Sequence, residues 1–417
     1  MRIGEVLGEA LSHKTGPDVA ERGSTVKTID QSEITVIGGG VIGCFIAYYL
    51  SKAGKDVVLV EKGDVGAGAS GANDACIMAQ SKKPGPKLRL AIHSSNTLWE
   101  NLADELDHDI EYVRKGSMLV MESEEEMEFI RAFTQAQKDF GLQVEFLDQK
   151  ETRSLQPAIS PHIQASTFCP MDGEVNPFYL LVALANKIRR QGGRIYTPCA
   201  VEGFKINEGV MTHVITERGL IETSVVVCAC GAYSSHIGRL AGVEIPIEPR
   251  RGQVLITEAI PPLIGPYIMS AKAIVAKHSA VASAQEKTGP PDFALGMIIS
   301  QTVSGNMVLG VTYEFAGYDT QTTVQGVTAV GRYTSTILPA LRNLSVIRTF
   351  SGLRPFTKDG VPIVGPSERI PNFIIAAGHE GDGVAVSPAT GMEVSQKLIE
   401  GAWLLTGPIR TKMDGTT

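Results

Sequence analysis

At 417 residues the chain is long enough to bury a large core and to hold about two domains. A net charge of −7 argues against a nucleic-acid binder, which would carry a basic surface, and no stretch reads as a membrane span. The six cysteines form no CxxC pair, which points to reduced, cytoplasmic thiols with no zinc or iron–sulfur site and no metal ligand set.

Residues 1–32 are polar and mixed in charge, lack the apolar core of a secretory signal, and read as an appended arm. The stretch from Glu33 to Lys62 follows. An apolar strand, Ile34 to Ile37, enters the turn Gly38-Gly39-Gly40-Val41-Ile42-Gly43. A helical segment, Cys44 to Lys52, and a second apolar strand, Val57 to Val60, lead to Glu61. This is a dinucleotide-binding fingerprint. Gly38 permits the tight turn, Gly40 lets a pyrophosphate approach the backbone, and Gly43 lets helix and strand pack closely. The helix N-terminus offers unpaired N–H groups and a partial positive charge to the phosphates. Glu61 is placed to accept hydrogen bonds from a ribose, and its charge disfavours a 2′-phosphate, so NADP is not expected.

Small residues fill 63–76 and favour close approach of backbone to a ligand. Ser81-Lys82-Lys83-Pro84-Gly85 breaks the chain before a predicted helix, Leu88 to Leu106. Ser117 to Met121 reads as a strand, and the acids at 124–126 open a helix as the helix dipole prefers. Met171 to Pro177 is a turn into the helix Phe178 to Arg190. Strands are predicted at Arg194–Tyr196, Val210–Thr216 and Ser224–Cys230, the last a continuous apolar run of the kind buried on both faces. From Ile245 strand-like pieces separated by turns suggest an antiparallel sheet: Ile247–Thr257, Tyr267–Ala276, Phe293–Gln301 and Asn306–Thr312. A helix over Thr322–Ile337, strands at Ile347–Arg354 and Phe373–Ala377, a glycine turn at 378–383 and a closing helix, Ser387–Glu400, complete the chain. The expected fold is α/β: a discontinuous Rossmann-like dinucleotide domain (33–85, 150–240 and 345–410) with an inserted antiparallel-sheet α+β substrate domain (86–149 and 241–344).

Several motifs recur in a known order. They are the fingerprint, the loop Gly68-Ala69-Ser70-Gly71-Ala72-Asn73, Asp172-Gly173 with Asn176-Pro177, and Ala229-Cys230-Gly231. Gly352-Leu353-Arg354-Pro355 with Thr357 to Gly360, and Gly378-His379 through Gly383, complete the series. It resembles the FAD-dependent D-amino-acid oxidase and glycine oxidase family over nearly the whole chain after residue 33. Gln80 to Gly85 and Gly378 to Gly383 look most like the flavin subunits of heteromeric opine and D-hydroxyproline dehydrogenases and of hydrogen cyanide synthase.

The resemblance implies noncovalent FAD. Gly38, Gly40, Val41, Ile42 and Gly43 would surround its pyrophosphate, and Glu61 would hold the adenosine ribose beside Lys62. Ala69, Ser70, Asp74, Ala75 and Cys76 would line flavin and linker, Val201 would meet the adenine, and Gly231 would border the ribityl–phosphate region. Gly381, Asp382, Gly383 and Val384 would face the pyrimidine edge. Arg354 would grip a substrate carboxylate, for which a guanidinium fork is suited; the structural alternative is a pair with Asp359 or a carbonyl. His379 and Tyr267 are further candidates for substrate contact. The implied reaction is oxidation of the C–N bond of an amino acid, imino acid or opine by hydride transfer to flavin N5, in a subunit of a heteromeric dehydrogenase. The implied partners are subunits carrying further redox centres, with FMN at a subunit interface. A stand-alone oxidase making hydrogen peroxide and a non-catalytic flavin scaffold are the alternatives.

Overall fold

The computed structural model describes residues 27–278 and 294–400. The expected arm lies outside the described residues except from residue 27, and Thr28 already belongs to the first strand, β1 (Thr28–Ile37). The extra length has a partner: Thr28 to Ile37 runs parallel to Leu220–Cys228, so a long neighbour extends the pairing into polar sequence.

Helix α1 (Val41–Lys52) and strand β2 (Val57–Val60) follow β1. The first sheet has the order Ile363–Pro366, Phe373–Ala377, Gly219–Cys228, β1, β2, Arg194–Tyr196. Its centre is parallel, from Phe373–Ala377 through to Arg194–Tyr196, and Ile363–Pro366 closes one edge antiparallel. This is a Rossmann-like sheet, and its four-residue strand β2 is wholly buried, as parallel strands covered on both faces are. α1 and the closing helix Gly383–Glu400 cross closely on it, because Gly391 admits the backbone of Phe45 where a side chain would collide.

The second sheet runs Val346–Phe356, Glu248–Ala259, Asn306–Tyr313, Ala294–Gln301, Tyr267–Ser270, Ser117–Met121, Ala165–Cys169, Glu145–Leu147. It is antiparallel except where Tyr267–Ser270 runs parallel to Ser117–Met121. Helix Val324–Ile337 covers it, with Val330 and Ile337 packed among Leu255, Met297 and Leu309.

Some expected boundaries move. Ala165–Cys169 and Val346–Phe356 were expected beside the Rossmann sheet but pair in the second sheet, with partners distant in sequence: Cys169 opposes Ser117, and Gly352 opposes Gly252. Conversely Pro86–His93, expected with the substrate domain, buries Leu88, Leu90 and Ala91 in the Rossmann core. The helix predicted over Leu88–Leu106 divides into Pro86–His93, a π-turn at Ser94–Leu98, and Leu102–Leu106. Ser94 and Ser95, weak helix formers, sit at the break. The strand predicted over Tyr267–Ala276 stops at Ser270, and Ala271–His278 is helical, as its alanines and lysine favour.

Candidate active site

The glycine turn is built as its sequence requires. Gly38 has φ +109°, a conformation side chains rarely adopt, and a Cβ there would lie 2.5 Å from the Ala229 carbonyl oxygen. α1 begins after Gly40, which provides no side-chain cap, and its first turn holds no acid. Ser70 arrives from the following loop, and its Oγ accepts from the Val41 N–H at 3.0 Å. Glu61 is fixed by two backbone donors, Gly39 N–H to Oε2 at 2.7 Å and Gly63 N–H to Oε1 at 2.9 Å. Each carboxylate oxygen retains a lone pair that can accept a ribose hydroxyl. Lys62 lies over the Tyr233 ring at 3.1 Å, and Tyr233 stacks on Tyr318. Gly231 has φ +52° and faces open space, and Val201, half-buried, starts the strand Val201–Asn207.

The loop after Glu61 carries the chain to a second centre. Asn73 ties Ala69 and Ser70 through their carbonyls and accepts from the Ala75 N–H at 2.7 Å. Ala75 is held at φ +64°, a backbone strain that an alanine keeps only when its surroundings impose it. Asp74 is half-buried; burial pushes its carboxyl upward, and the charge of Arg354 opposes the shift. Burial also raises the Cys76 thiol well above its ordinary value, so it is a packed thiol and not a thiolate. Strand Val346–Phe356 lies directly against this loop, because at Gly352 a Cβ would overlap the Ala72 carbonyl oxygen.

Arg354 stands where these pieces meet. A Cβ on Gly252, on the neighbouring strand, would overlap its Nη1, and a Cβ on Gly381 would lie 3.2 Å from its Nε. Two glycines therefore make the slot for this guanidinium. Nη1 donates to the Thr312 carbonyl at 3.4 Å, and the Tyr313 ring lies 4.9 Å from Cζ. Arg354 forms no ion pair among the described residues, and its bond to the Thr312 carbonyl is the carbonyl contact that the structural alternative named.

The late turn is a charge cluster. Asp382 pairs with Lys82 at 3.1 Å and Lys87 at 2.8 Å, and Glu380 lies 3.7 Å from Lys87 and 3.8 Å from Arg250. Glu380 is a buried residue at φ +54°. Lys82 is 3% exposed and also donates to the Met78 carbonyl; burial lowers its pKa, opposed by Asp382 and Asp172. The cluster joins the 78–87 segment to the N-terminus of the closing helix, beside Gly381, Gly383 and Val384.

The structure brings Asp74, Gly381, Asp382 and Arg354 together but separates two expected candidates from any open space. Tyr267 is 0% exposed, and its hydroxyl donates to the Ile77 carbonyl at 3.0 Å, which makes it a core residue. His379 is 2% exposed, and its Nε2 lies 3.3 Å from Thr390 Oγ1. Burial, then the charge of Lys87, push its pKa down to about 3, so it is neutral near pH 7 and has no proton to give. Sequence reasoning missed Arg250, Gly252, Tyr313, Lys82 and Lys87. The register of two strands brings the first three beside Arg354, and no local motif announces that register.

The residues fit FAD at both ends. A glycine cradle in which any added side chain would collide with its surroundings sits at a helix start, and a second helix start lies beside a slot holding an arginine without an ion pair among the described residues.

A family model described as FAD dependent oxidoreductase (DAO) matches residues 33–397. Glycine oxidase of Geobacillus kaustophilus is 28% identical over 376 residues, covering 88% of this chain and 93% of that protein. Hydrogen cyanide synthase subunit HcnC of Pseudomonas protegens is 25% identical, covering 90% and 94%, and an opine oxidase subunit of Agrobacterium tumefaciens is 26% identical, covering 88% and 94%. Among solved structures, L-proline dehydrogenase from P. horikoshii superposes with a TM-score of 0.80 at 28% identity, covering 91% of this chain and 96% of that one.

Proposed function

The chain belongs to the DAO family of FAD-dependent oxidoreductases, and from that premise we propose that it oxidises the C–N bond of an amino acid, imino acid or opine whose carboxylate is held by Arg354. The observation that carries this reading is the arginine slot. A guanidinium fixed between Gly252 and Gly381 and without an ion pair among the described residues offers a carboxylate parallel charge-assisted hydrogen bonds at no cost in reorganisation.

FAD would be held by Gly38, Gly40 to Gly43 and Ser70 at the pyrophosphate, Glu61 at the ribose, Val201 at the adenine and Gly231 at the linker. Ala69, Asp74, Ala75 and Cys76 would line the ring on one side, and Gly381 to Val384 would put a helix N-terminus at its edge. When bound, FAD supplies a hydride acceptor at N5. The chain contributes position: Arg354 orients the carboxylate, and so the carbon–hydrogen bond beside the nitrogen. Burial leaves the enclosed His379 a weak base, so no proton transfer is assigned to it. The imine product hydrolyses or is passed on.

A role within a heteromeric dehydrogenase is supported by two relatives, each named as one subunit of a larger enzyme. The likeness to glycine oxidase supports a stand-alone oxidase as the second reading. Anaerobic titration of the flavin-loaded protein with glycine, sarcosine, prolines, D-amino acids and opines tests the activity. At least one of these amines bleaches the flavin. Peroxide release by the isolated chain in air would select the oxidase, and a flavin that no amine reduces would leave only a scaffold.

A further inference from the structure

Two opposite charges meet at this junction without pairing. Arg354 donates to the Thr312 carbonyl, Asp74 accepts a long bond from the Cys76 N–H at 3.4 Å, and neither forms an ion pair among the described residues. They do act on each other: burial raises the Asp74 carboxyl, and the charge of Arg354 is the first of the influences that oppose the rise. Asp74 is fixed from both sides. Before it, Asn73 ties the chain to Ala69 and Ser70; after it, the Val175 N–H donates to the Ala75 carbonyl at 3.1 Å, and Cys76 pairs with Glu174. The loop meets the arginine strand where Ala72 lies against Gly352, and two residues further along each chain stand Asp74 and Arg354.

The other acids nearby are answered inside the fold. Asp382 is held by Lys82 and Lys87, and Glu380 lies between Lys87 and Arg250. Asp74 is half-buried and keeps lone pairs that its one long bond does not use. A carboxylate partly removed from water, with no cation of its own, is relieved by a ligand that brings one. An amino or imino acid near neutral pH carries a carboxylate and a cationic nitrogen on the same carbon. One fixed cation and one fixed anion match that pattern of charge.

We propose that Asp74 is the amine subsite, hydrogen-bonding the cationic nitrogen of the substrate while Arg354 holds the carboxylate. This rests on the assignment of Arg354 to the substrate carboxylate. It adds a specificity residue: Arg354 selects for a carboxylate, whereas Asp74 selects for a charged nitrogen over an uncharged group of the same shape. Holding both groups also sets the direction of the carbon–hydrogen bond on the carbon between them.

The test uses ligands that the flavin cannot oxidise. 2-Aminoisobutyrate has no hydrogen on the carbon that bears its nitrogen, and pivalate has the same shape with a methyl group in place of the ammonium. Methylthioacetate, a carboxylate with an uncharged thioether, is a second probe without nitrogen. Binding to the flavin-loaded protein is read by perturbation of the flavin spectrum and by the shift in melting temperature. Near neutral pH, 2-aminoisobutyrate binds about 10- to 100-fold more tightly than pivalate, the range expected of one charged hydrogen bond. Asp74→Asn removes that preference and leaves pivalate and methylthioacetate bound at least as tightly, because an anion is taken from beside Arg354. A purely structural role would weaken all three ligands together. Asp74→Glu, which keeps the charge but displaces it, retains only part of the preference. The proposal is overturned by 2-aminoisobutyrate that binds no more tightly than pivalate to the unaltered protein. A preference that survives in Asp74→Asn, or equal weakening of all three ligands there, overturns it too. Should Asp74→Asn fail to load flavin, a preference unchanged in Asp74→Glu overturns it as well. Equal affinities that still depend on Arg354 sink this subsite and leave the proposed activity standing. A preference for 2-aminoisobutyrate with every ligand bound as tightly by Arg354→Met does the reverse.

Discussion

At the scale of single residues, the site separates charge that is spent from charge that is available. Lys82, Lys87, Asp382 and Glu380 answer one another inside the fold, while Arg354 bonds one carbonyl. Arg354→Met should therefore weaken carboxylate binding by about two orders of magnitude, the loss expected when one partner of a hydrogen-bonded charge pair is removed. Flavin content should stay near that of the unaltered protein; equal affinity for methylthioacetate in both proteins would contradict the role. His379 makes a different prediction. Its ordinary value near 6.5 applies to the unfolded chain, and its folded value is about 3. Between these pH values the unfolded state binds the extra proton, so its contribution to stability is present above 6.5 and is lost as pH falls toward 3. The slope reaches about 1.4 kcal/mol per pH unit. Melting curves of His379→Gln between pH 4 and 7 should show a shallower acid decline than the unaltered protein, and parallel declines would refute the buried neutral imidazole. The sequence marked His379 as titratable and near the ring. It did not reveal that Thr390, in the closing helix, receives the imidazole.

At the scale of elements, what was legible followed from local rules. The turn from Gly38 to Gly43 carries its own reasons in its spacing, and a strand, a helix and a second strand follow in the expected order, the first strand reaching back to Thr28 and the helix starting earlier, at Val41. Strand Val346–Phe356 was legible as a strand, but its partner was not, because pairing with Glu248–Ala259 depends on a register that is set by contacts about a hundred residues apart. That register decides the site, since it lays Gly252 under the Arg354 guanidinium. Gly252→Ala should keep the sheet, because the added methyl meets only the far end of a flexible side chain. It should push Arg354 out of its slot and lower carboxylate affinity at least about tenfold, the effect of losing one charged hydrogen bond. Loss of flavin together with affinity would mean that the glycine serves the fold and not the slot.

At the scale of the whole molecule, two sheets divide the work. The Rossmann sheet supplies the glycine turn, Glu61 and the closing helix, and the second sheet supplies Arg250, Tyr313 and Arg354. The site lies where the 72–82 segment and the 378–384 turn of the first meet the strand ends of the second. The fold class was readable because apolar strands alternating with helices, then a run of short strands, announce two kinds of sheet. The membership of individual strands was not, as Ala165–Cys169 and Val346–Phe356 demonstrate, because hydrophobic pattern selects a face and not a neighbour. The account's central claim is that this junction oxidises an amine whose carboxylate sits on Arg354. The most direct measurement is the visible spectrum of the flavin-loaded protein during anaerobic titration with the amine panel, in parallel with Arg354→Met. The account predicts that a carboxylate-bearing amine bleaches the flavin of the unaltered protein and that Arg354→Met requires about a hundredfold more of it. A flavin that stays oxidised with every amine, or the same titration midpoint in both proteins, would contradict it.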